Sequence, residues 1–293
     1  MRADQTQPVM RAVSRRAGGK FGPYEVIAPL ARGGMGTVYL AEHHTSGERV
    51  ALKVLEPQLA TNGELIGRLF AEHTFASRIQ HANVVDIRAA RFGRDGVPFL
   101  VMEYFEGQAL ATLASRETLG LDTIVAIGAQ IAAGLAAVHA AGVIHCDVKS
   151  DNVLVIDDGG ELRVKVIDFG VSRTVDEPVA EGQAIAGTPW CMAPEQWSGA
   201  PLPASDVYAL GCMLYELTTG SPPFDGSLPE LMIAHLEQRP ARPSWLRPMP
   251  IELERIILRA LAKDPAARPT MLALADELCA LHDAMTCNIR QAG

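Results

Sequence analysis

The sequence predicts an α+β fold in two lobes, a small antiparallel lobe of five strands with one main helix and a mainly helical lobe after it. Short runs rich in apolar and β-branched residues, separated by Gly-rich and polar turns, occupy residues 24–55 and 84–103. After Gly107 the apolar residues recur at helical spacing instead. A chain of 293 residues exceeds the usual single domain, and its 48% hydrophobic content can supply large cores.

Five strands are predicted in the first lobe, at residues 24–30, 37–42, 49–55, 84–90 and 98–103. Between the third and fourth strands a helical spacing predicts the main helix, which runs through Glu72. The residues that keep this spacing are Leu65, Leu69, Phe70 and His73. We expect the boundary between the lobes near residues 102–107, so the first lobe takes in about residues 21–103 and the second about residues 108–285.

The second lobe is predicted to begin with a long buried helix that stops at Gly142. Its apolar positions are Ile124, Ile127, Ile131, Leu135 and Val138. Later helices are predicted at residues 205–219, 228–235, 251–262 and 271–282, with Pro-rich breaks between them. Residues 1–20 mix Gln, Pro, Arg and Gly without apolar periodicity, so we expect a disordered basic tail there, and residues 286–293 are expected to form a C-terminal tail.

Charge and cysteine content exclude several classes of protein. A net charge of −8 argues against a general binder of nucleic acid. Five cysteines form an odd set without a C-x-x-C pair, which suits free thiols in a reducing compartment, so we expect a cytoplasmic protein. No unbroken apolar run approaches the roughly 18 residues that would cross a membrane, so no membrane span is expected.

One stretch carries the chemistry of phosphoryl transfer. Residues 143–152 read Val-Ile-His-Cys-Asp-Val-Lys-Ser-Asp-Asn, and they contain an acid, Asp147, a cation, Lys149, and an oxygen donor, Asn152. A second oxygen donor, Asp168, begins the Asp-Phe-Gly of residues 168–170. Each motif follows an apolar run, and their oxygen donors are of the kind that Mg²⁺ prefers.

Both motifs resemble the catalytic-loop and magnesium-loop signatures of protein kinases, with Cys146 in place of the usual Arg. This resemblance implies that Asp147 accepts the proton of a substrate hydroxyl, that Lys149 stabilises charge on the moving phosphoryl group, and that Asn152 and Asp168 bind Mg²⁺.

The resemblance extends to the nucleotide-binding motifs of the family. It implies that Lys53, on the third predicted strand, holds the α- and β-phosphates of ATP and that Glu72 is its ion-pair partner, with Glu64 as a nearby alternative. Residues 31–38 resemble the Gly-rich loop, with Ala31 in place of the first Gly, although a hairpin turn also needs glycines. By the same resemblance, the contacts to ATP are Ala31, Arg32, Gly33, Gly34, Met35, Gly36, Val38, Ala51, Lys53, Met102, Glu103, Phe105 and Leu154.

Other matching residues are expected to be structural. The resemblance implies that His145 and Phe169 pack in an internal spine whose base is tied to the backbone by Asp206. It also implies that Glu195, in the Ala-Pro-Glu of residues 193–195, forms a buried ion pair with Arg268.

Lys149 and Thr188, together with the surrounding motifs, resemble the bacterial, eukaryotic-like (Hanks-type) Ser/Thr protein kinases over residues 24–282. The implied reaction transfers the γ-phosphoryl group of ATP to Ser or Thr of a protein substrate, and a second copy of the chain is an expected autophosphorylation partner. A pseudokinase scaffold and a small-molecule phosphotransferase of related fold stay open as alternatives. By the same resemblance, the usual Arg at position 146 binds a phosphate on the activation segment, which Cys146 cannot do. Residues 175–187 of that segment contain no Ser or Thr, so we expect it to be ordered without phosphorylation.

Overall fold

The computed structural model describes residues 19–159, 161–176 and 187–292. The chain divides into an N-terminal unit, Met1–Ser77 with Asp86–Tyr104, and a C-terminal unit, Arg78–Val85 with Phe105–Gly293. Nearly all of the tail predicted at residues 1–20 lies outside the described residues.

The N-terminal unit is built on one antiparallel sheet with the strand order β1-β2-β3-β4-β6-β5. Its strands are β1 (Lys20–Phe21), β2 (Tyr24–Arg32), β3 (Gly36–His43), β4 (Arg49–Leu55), β5 (Ile87–Phe92) and β6 (Pro98–Glu103). The five predicted strands are confirmed, but the sheet has a sixth, β1, where we had placed the end of the tail. A strand of two residues is too short to show an alternating pattern in sequence.

The fourth predicted strand begins later than expected. Val84, its predicted first residue, belongs to the C-terminal unit and forms a parallel bridge with Val166 there. Strand β5 itself starts at Ile87 and pairs with β6. The apolar run is therefore continuous in sequence but is shared between the two units.

The two faces of the sheet have different roles because side chains alternate along each strand. One face forms the core of the unit, with Leu52 and Val54 of β4 packed among Tyr39, Phe99 and Val101. The other face carries the candidate nucleotide contacts. In the strand register Lys53 lies opposite Val38, which lies opposite Ala31, and Ala51 lies opposite Met102, so these five residues share one surface.

Helix α1 (Gly63–Ala76) is the main helix of this unit. Asn62 caps it by accepting hydrogen bonds from the backbone N–H groups of Glu64 at 3.0 Å and Leu65 at 3.2 Å. Its buried residues are Leu69, Glu72 and Ala76, which lie on one side at spacings of three and four. The helix therefore directs the Glu72 carboxylate inward.

The C-terminal unit is mainly helical, as predicted. Its helices are α2 (Leu110–Arg116), α3 (Leu121–Ala140), α4 (Pro194–Trp197), α5 (Pro203–Thr219), α6 (Leu228–Glu237), α7 (Ile251–Ala260) and α8 (Met271–Ala292). Helix α3 buries all five predicted apolar positions in the core of this unit. By length and composition it is the one described helix that could cross a membrane, but a buried core helix meets the same criteria.

The C-terminal helix is longer than predicted. Helix α8 continues to Ala292, so residues 286–292 are helical where we expected a tail. The apolar spacing on which the prediction rested ends near His282, but no Gly or Pro follows before Gly293 to stop the helix.

Short strands place the functional loops of the C-terminal unit. They are β7 (Gln108–Ala109), β8 (Val143–Ile144), β9 (Val153–Asp158), β10 (Glu161–Val166) and β11 (Arg173–Thr174). Strand β8 ends just before residues 145–152, the predicted catalytic loop, and β9 begins directly after Asn152. Because β9 and β10 pair as a hairpin with Val153 opposite Val166, Asn152 lies next to Ile167, whose N–H donates to its backbone carbonyl at 2.9 Å.

A buried ion pair anchors the segment that leads into α4. Nη1 and Nη2 of Arg268 donate to the two carboxylate oxygens of Glu195 at 2.7 and 3.0 Å. The remaining guanidinium hydrogens reach the carbonyls of Ala262, Lys263 and Ala204. The predicted pair is confirmed, and it fastens Glu195 with the fork geometry that suits Arg and a carboxylate.

Candidate active site

An ion pair fixes Lys53 on the face of the sheet that carries the candidate nucleotide contacts. Its Nζ lies 2.8 Å from Oε2 and 3.0 Å from Oε1 of Glu72, and the side chains are 18% and 2% exposed. The alternative partner Glu64 pairs with Arg68 at the surface instead. A carboxylate as buried as that of Glu72 is costly without a cation, so the pair holds Lys53 in place among the candidate nucleotide contacts.

The Gly-rich turn between β2 and β3 has one glycine that the fold requires and one that it does not. A Cβ at Gly36 would lie 2.2 Å from the carbonyl oxygen of Val54, so the backbones of β3 and β4 approach too closely for a side chain. At Gly34 no described atom lies within 4 Å of the Cβ position, and φ is not in the left-handed region. Strand packing against β4 accounts for Gly36 but not for Gly34, whose bare backbone suits close approach by phosphates.

Glu56 binds residues at both ends of this turn, although no sequence motif points to it. Its carboxylate accepts from Oγ1 of Thr37 at 3.2 Å and lies 3.6 Å from the guanidinium of Arg32. Its N–H donates to the carbonyl of Met35 at 3.0 Å. Arg32 and Met35 were predicted to contact ATP, and the structure shows both of them bonded to Glu56.

Three further candidate nucleotide contacts are Glu103, Phe105 and Leu154. Glu103 ends β6, and its backbone and side chain both hydrogen-bond to the backbone of Asp86. Phe105 begins the C-terminal unit after Tyr104. Leu154 lies on β9 and is half-buried. Contact of these residues with an adenine ring stays a prediction.

The catalytic loop gathers four functional side chains by hydrogen bonds. Oδ2 of Asp147 accepts from Nζ of Lys149 at 2.6 Å and from Nδ2 of Asn152 at 3.0 Å. Oδ1 of Asp147 accepts from Oγ1 of Thr188 at 2.6 Å, and Thr188 in turn accepts from Lys149 at 2.9 Å. Three predicted residues are therefore in direct contact. Thr188, noted in sequence only as a mark of substrate class, is the fourth member.

Asn152 and Asp168 have the chemistry of Mg²⁺ ligands. The amide nitrogen of Asn152 is used by Asp147, and its Oδ1 accepts no hydrogen bond from any described residue. Asp168 has a left-handed φ of 69°, and its Oδ1 accepts from the N–H of Gly170 at 3.2 Å. The described residues contain no cluster of three or more His, Cys, Asp or Glu for a metal. Two protein oxygens nonetheless fit Mg²⁺, which takes phosphate oxygens and water for the rest.

The backbone before Asp147 is held by the buried carboxylate of Asp206. It accepts from the N–H groups of His145 at 2.8 Å and Cys146 at 2.9 Å, and from the ring of His139 at 2.8 Å. Burial alone would raise the pKa of Asp206, but the hydrogen bond and charge of His139, together with the charge and backbone N–H of His145, lower it below its ordinary value. The ring of His145 packs 5.1 Å from that of Phe169, which confirms the predicted structural role.

Cys191 lies near Asp147 but is not a nucleophile. Burial, and then the charge of Asp147, raise the pKa of its thiol to about 12, so the thiol stays protonated at neutral pH. Cys146 and Cys212 are also buried.

Residues 24–280 match the family model described as the protein kinase domain. Pkn1, a serine/threonine-protein kinase of Myxococcus xanthus, is 38% identical over 275 residues, which are 91% of this chain and 39% of Pkn1. PknE of Mycobacterium tuberculosis is 40% identical over 259 residues, 86% of this chain and 45% of PknE. The chain thus spans less than half the length of these curated relatives.

A similar fold is found among solved structures. The kinase domain of PknI from Mycobacterium tuberculosis has a TM-score of 0.68 to this chain and is 28% identical, and the match covers 89% of this chain and 97% of that domain. The predicted fold class is confirmed by this similarity.

The two glycines of the turn are expected to respond differently to alanine. Gly36→Ala should destabilise the protein by about 1–3 kcal/mol because its methyl group overlaps the Val54 carbonyl. Gly34→Ala should change the free energy of unfolding by less than about 0.5 kcal/mol. Urea unfolding of both variants tests this, and equal losses would contradict our distinction between the two positions.

Proposed function

The chain belongs to the protein kinase domain family, and we propose that it transfers the γ-phosphoryl group of ATP to Ser and Thr hydroxyls of protein substrates. The observation that carries the proposal is the contact of Asp147 with Lys149, Asn152 and Thr188. A scaffold that only retained the fold would have no need of this arrangement of base, cation and metal-ligand oxygen.

Asp147 is suited to receive the proton of the substrate hydroxyl. A carboxylate oxygen has two lone pairs, and among the described residues Oδ1 accepts a hydrogen bond only from Thr188. Its second lone pair is therefore open to a substrate hydroxyl. The hydrogen bonds to Oδ2 hold the carboxylate in one orientation, which positions the base before substrate arrives.

The other charged groups serve the phosphates. In this proposal Mg²⁺-ATP supplies the phosphoryl group and the metal offsets its charge, with Asn152 and Asp168 as the metal's protein ligands. Lys53, fixed by Glu72, binds the α- and β-phosphates, and the backbone at Gly34 covers them. Lys149 bridges Asp147 and Thr188, where its charge stabilises the transferred group.

The substrate and setting are also part of the proposal. Thr188, which bonds both Asp147 and Lys149, and relatives named serine/threonine-protein kinases favour Ser and Thr over Tyr. We place the reaction in the cytoplasm because none of the five cysteines forms a disulfide. A second copy of the chain is the simplest first substrate.

Replacing Lys53 by Met should lower the turnover number at least tenfold, which corresponds to about 1.4 kcal/mol of barrier, because the charge on the phosphates is lost. Initial rates are measured with radiolabelled ATP, Mg²⁺ and a generic basic protein, and phosphoamino-acid analysis identifies the acceptor. Lys20→Met, at the exposed position of strand β1, is the matched control and should keep wild-type rates. Retention of more than a tenth of the turnover by a folded Lys53→Met protein would contradict the assignment.

The metal ligands can be tested by thermal shift. Wild-type protein should gain more stability from ATP with Mg²⁺ than from ATP alone, because the metal is bound only by the folded state. Asp168→Asn should remove this metal increment more completely than Asn152→Ala, since it removes a full negative charge. Asp151→Asn is the control, because this neighbouring acid is exposed. An undiminished increment in Asp168→Asn would show that Asp168 is not a ligand.

We further propose that activity does not require phosphorylation of the activation segment. Cys146 is buried and offers no cation for a phosphate, and Thr188 is held by Asp147 and Lys149. Ser172 donates to the carbonyl of His145 at 3.2 Å. Arg173 donates to the carbonyl of Gly199 at 3.4 Å.

Phosphatase-treated protein should therefore phosphorylate substrate at its full rate without a lag. Mass spectrometry first confirms that residues 171–195 carry no phosphate, and rates are then taken before autophosphorylation occurs. A rate that climbs more than tenfold as Ser172, Thr174 or Thr188 becomes modified would show that this chain uses a phosphorylation switch.

A further inference from the structure

The residue before the proposed base has an unfavourable backbone conformation. Cys146 has a φ of 66°, in the left-handed region that disfavours any residue with a Cβ. Asp168 is the other non-glycine residue of the described chain with a positive φ. Because Asp147 follows Cys146 directly, the direction of its side chain depends on what holds the Cys146 peptide in this conformation.

The backbone N–H and C=O of Cys146 are each bonded to a buried side chain from later in the chain. Its N–H donates to Asp206, as described above. Its carbonyl accepts from Nε2 of Gln196 at 3.0 Å. Oε1 of Gln196 accepts from the N–H of Ala193 at 3.0 Å, so both ends of this amide are bonded, and the residue is only 4% exposed. Gln196 is next to Glu195, which Arg268 anchors.

Gly187 packs against the hydrogen bond between Gln196 and the Cys146 carbonyl. A Cβ at Gly187 would lie 3.2 Å from the Cys146 carbonyl oxygen and 3.4 Å from Nε2 of Gln196. The glycine backbone therefore packs directly against the bonded pair. Buried and bonded at both ends, the Gln196 amide has one orientation, in which its nitrogen faces Cys146.

We propose that Gln196 is a positioning residue for phosphoryl transfer, which acts through the Cys146 peptide to orient Asp147. This inference rests on the proposed function. The competing explanation is that Gln196 only braces Ala193 at the start of α4. The two explanations differ in which atom of the amide matters, Nε2 for Cys146 or Oε1 for Ala193.

Two variants separate these explanations. Gln196→Glu, assayed at a pH where its carboxyl is ionised, keeps the shape and the oxygen that faces Ala193 but loses the donor to Cys146, whereas Gln196→Met loses both. Each should lower kcat about tenfold and leave KM for ATP within about twofold, because the groups assigned to ATP do not contact Gln196. A wild-type kcat in Gln196→Glu would overturn the proposal.

Glycine at position 146 provides a rescue. Because glycine adopts a left-handed φ without penalty, a Cys146→Gly chain has less need of Gln196. In that background Gln196→Met should lower kcat by less than about threefold, against about tenfold with Cys146 present. An equal loss in both backgrounds would show that Gln196 does not act through the Cys146 peptide.

A measurement without substrate keeps this proposal separate from the proposed function. Amide hydrogen exchange, read by mass spectrometry, should become faster in the peptide of residues 143–152 in Gln196→Glu, with the peptide of α6 as the unaffected reference. Unchanged exchange would overturn the role of Gln196. A wild-type chain without transferase activity would overturn the proposed function, while faster exchange would still support the positioning of Asp147.

Discussion

The candidate catalytic residues of the C-terminal unit depend on the buried carboxylate of Asp206. A charge that is 1% exposed is stable only when its oxygens are bonded, and here two backbone N–H groups and the ring of His139 bond them. Those N–H groups belong to His145 and Cys146. The requirement to satisfy one buried charge therefore fixes the backbone that leads into Asp147, and the bonds of Asp147 to its neighbours follow from that.

Most of the fold follows from periodicity, which is a local property of sequence. The sheet of the N-terminal unit and helix α3 were predicted because their apolar residues alternate or recur over many positions. Strand β1 and the end of α8 were missed because neither carries such a pattern. Val84 was assigned to the wrong strand because an apolar run does not reveal that the chain is passing between units.

The candidate site divides in the same way between local and distant information. Resemblance to the family motifs identified Lys53, Asp147 and Asn152, and the structure bonds Lys53 to its predicted partner Glu72 and Asn152 to Asp147. Thr188 reaches Asp147 from 41 residues away, and Gln196 reaches Cys146 from 50. Such contacts arise only when α4 and the loop before it fold back on the catalytic loop. Residue type and spacing within a motif contain no signal for them.

The departure at Cys146 is tolerated because that position acts on the loop through its backbone. Its hydrogen bonds to Asp206 and to Gln196 use the peptide N–H and C=O, which every residue except proline possesses. The side chain that an Arg would supply bears on a phosphate rather than on the left-handed turn. On our two proposals, the absence of an Arg here removes a phosphate contact but not the geometry of Asp147, because that geometry depends on the two buried side chains, Asp206 and Gln196, that hold the strained peptide.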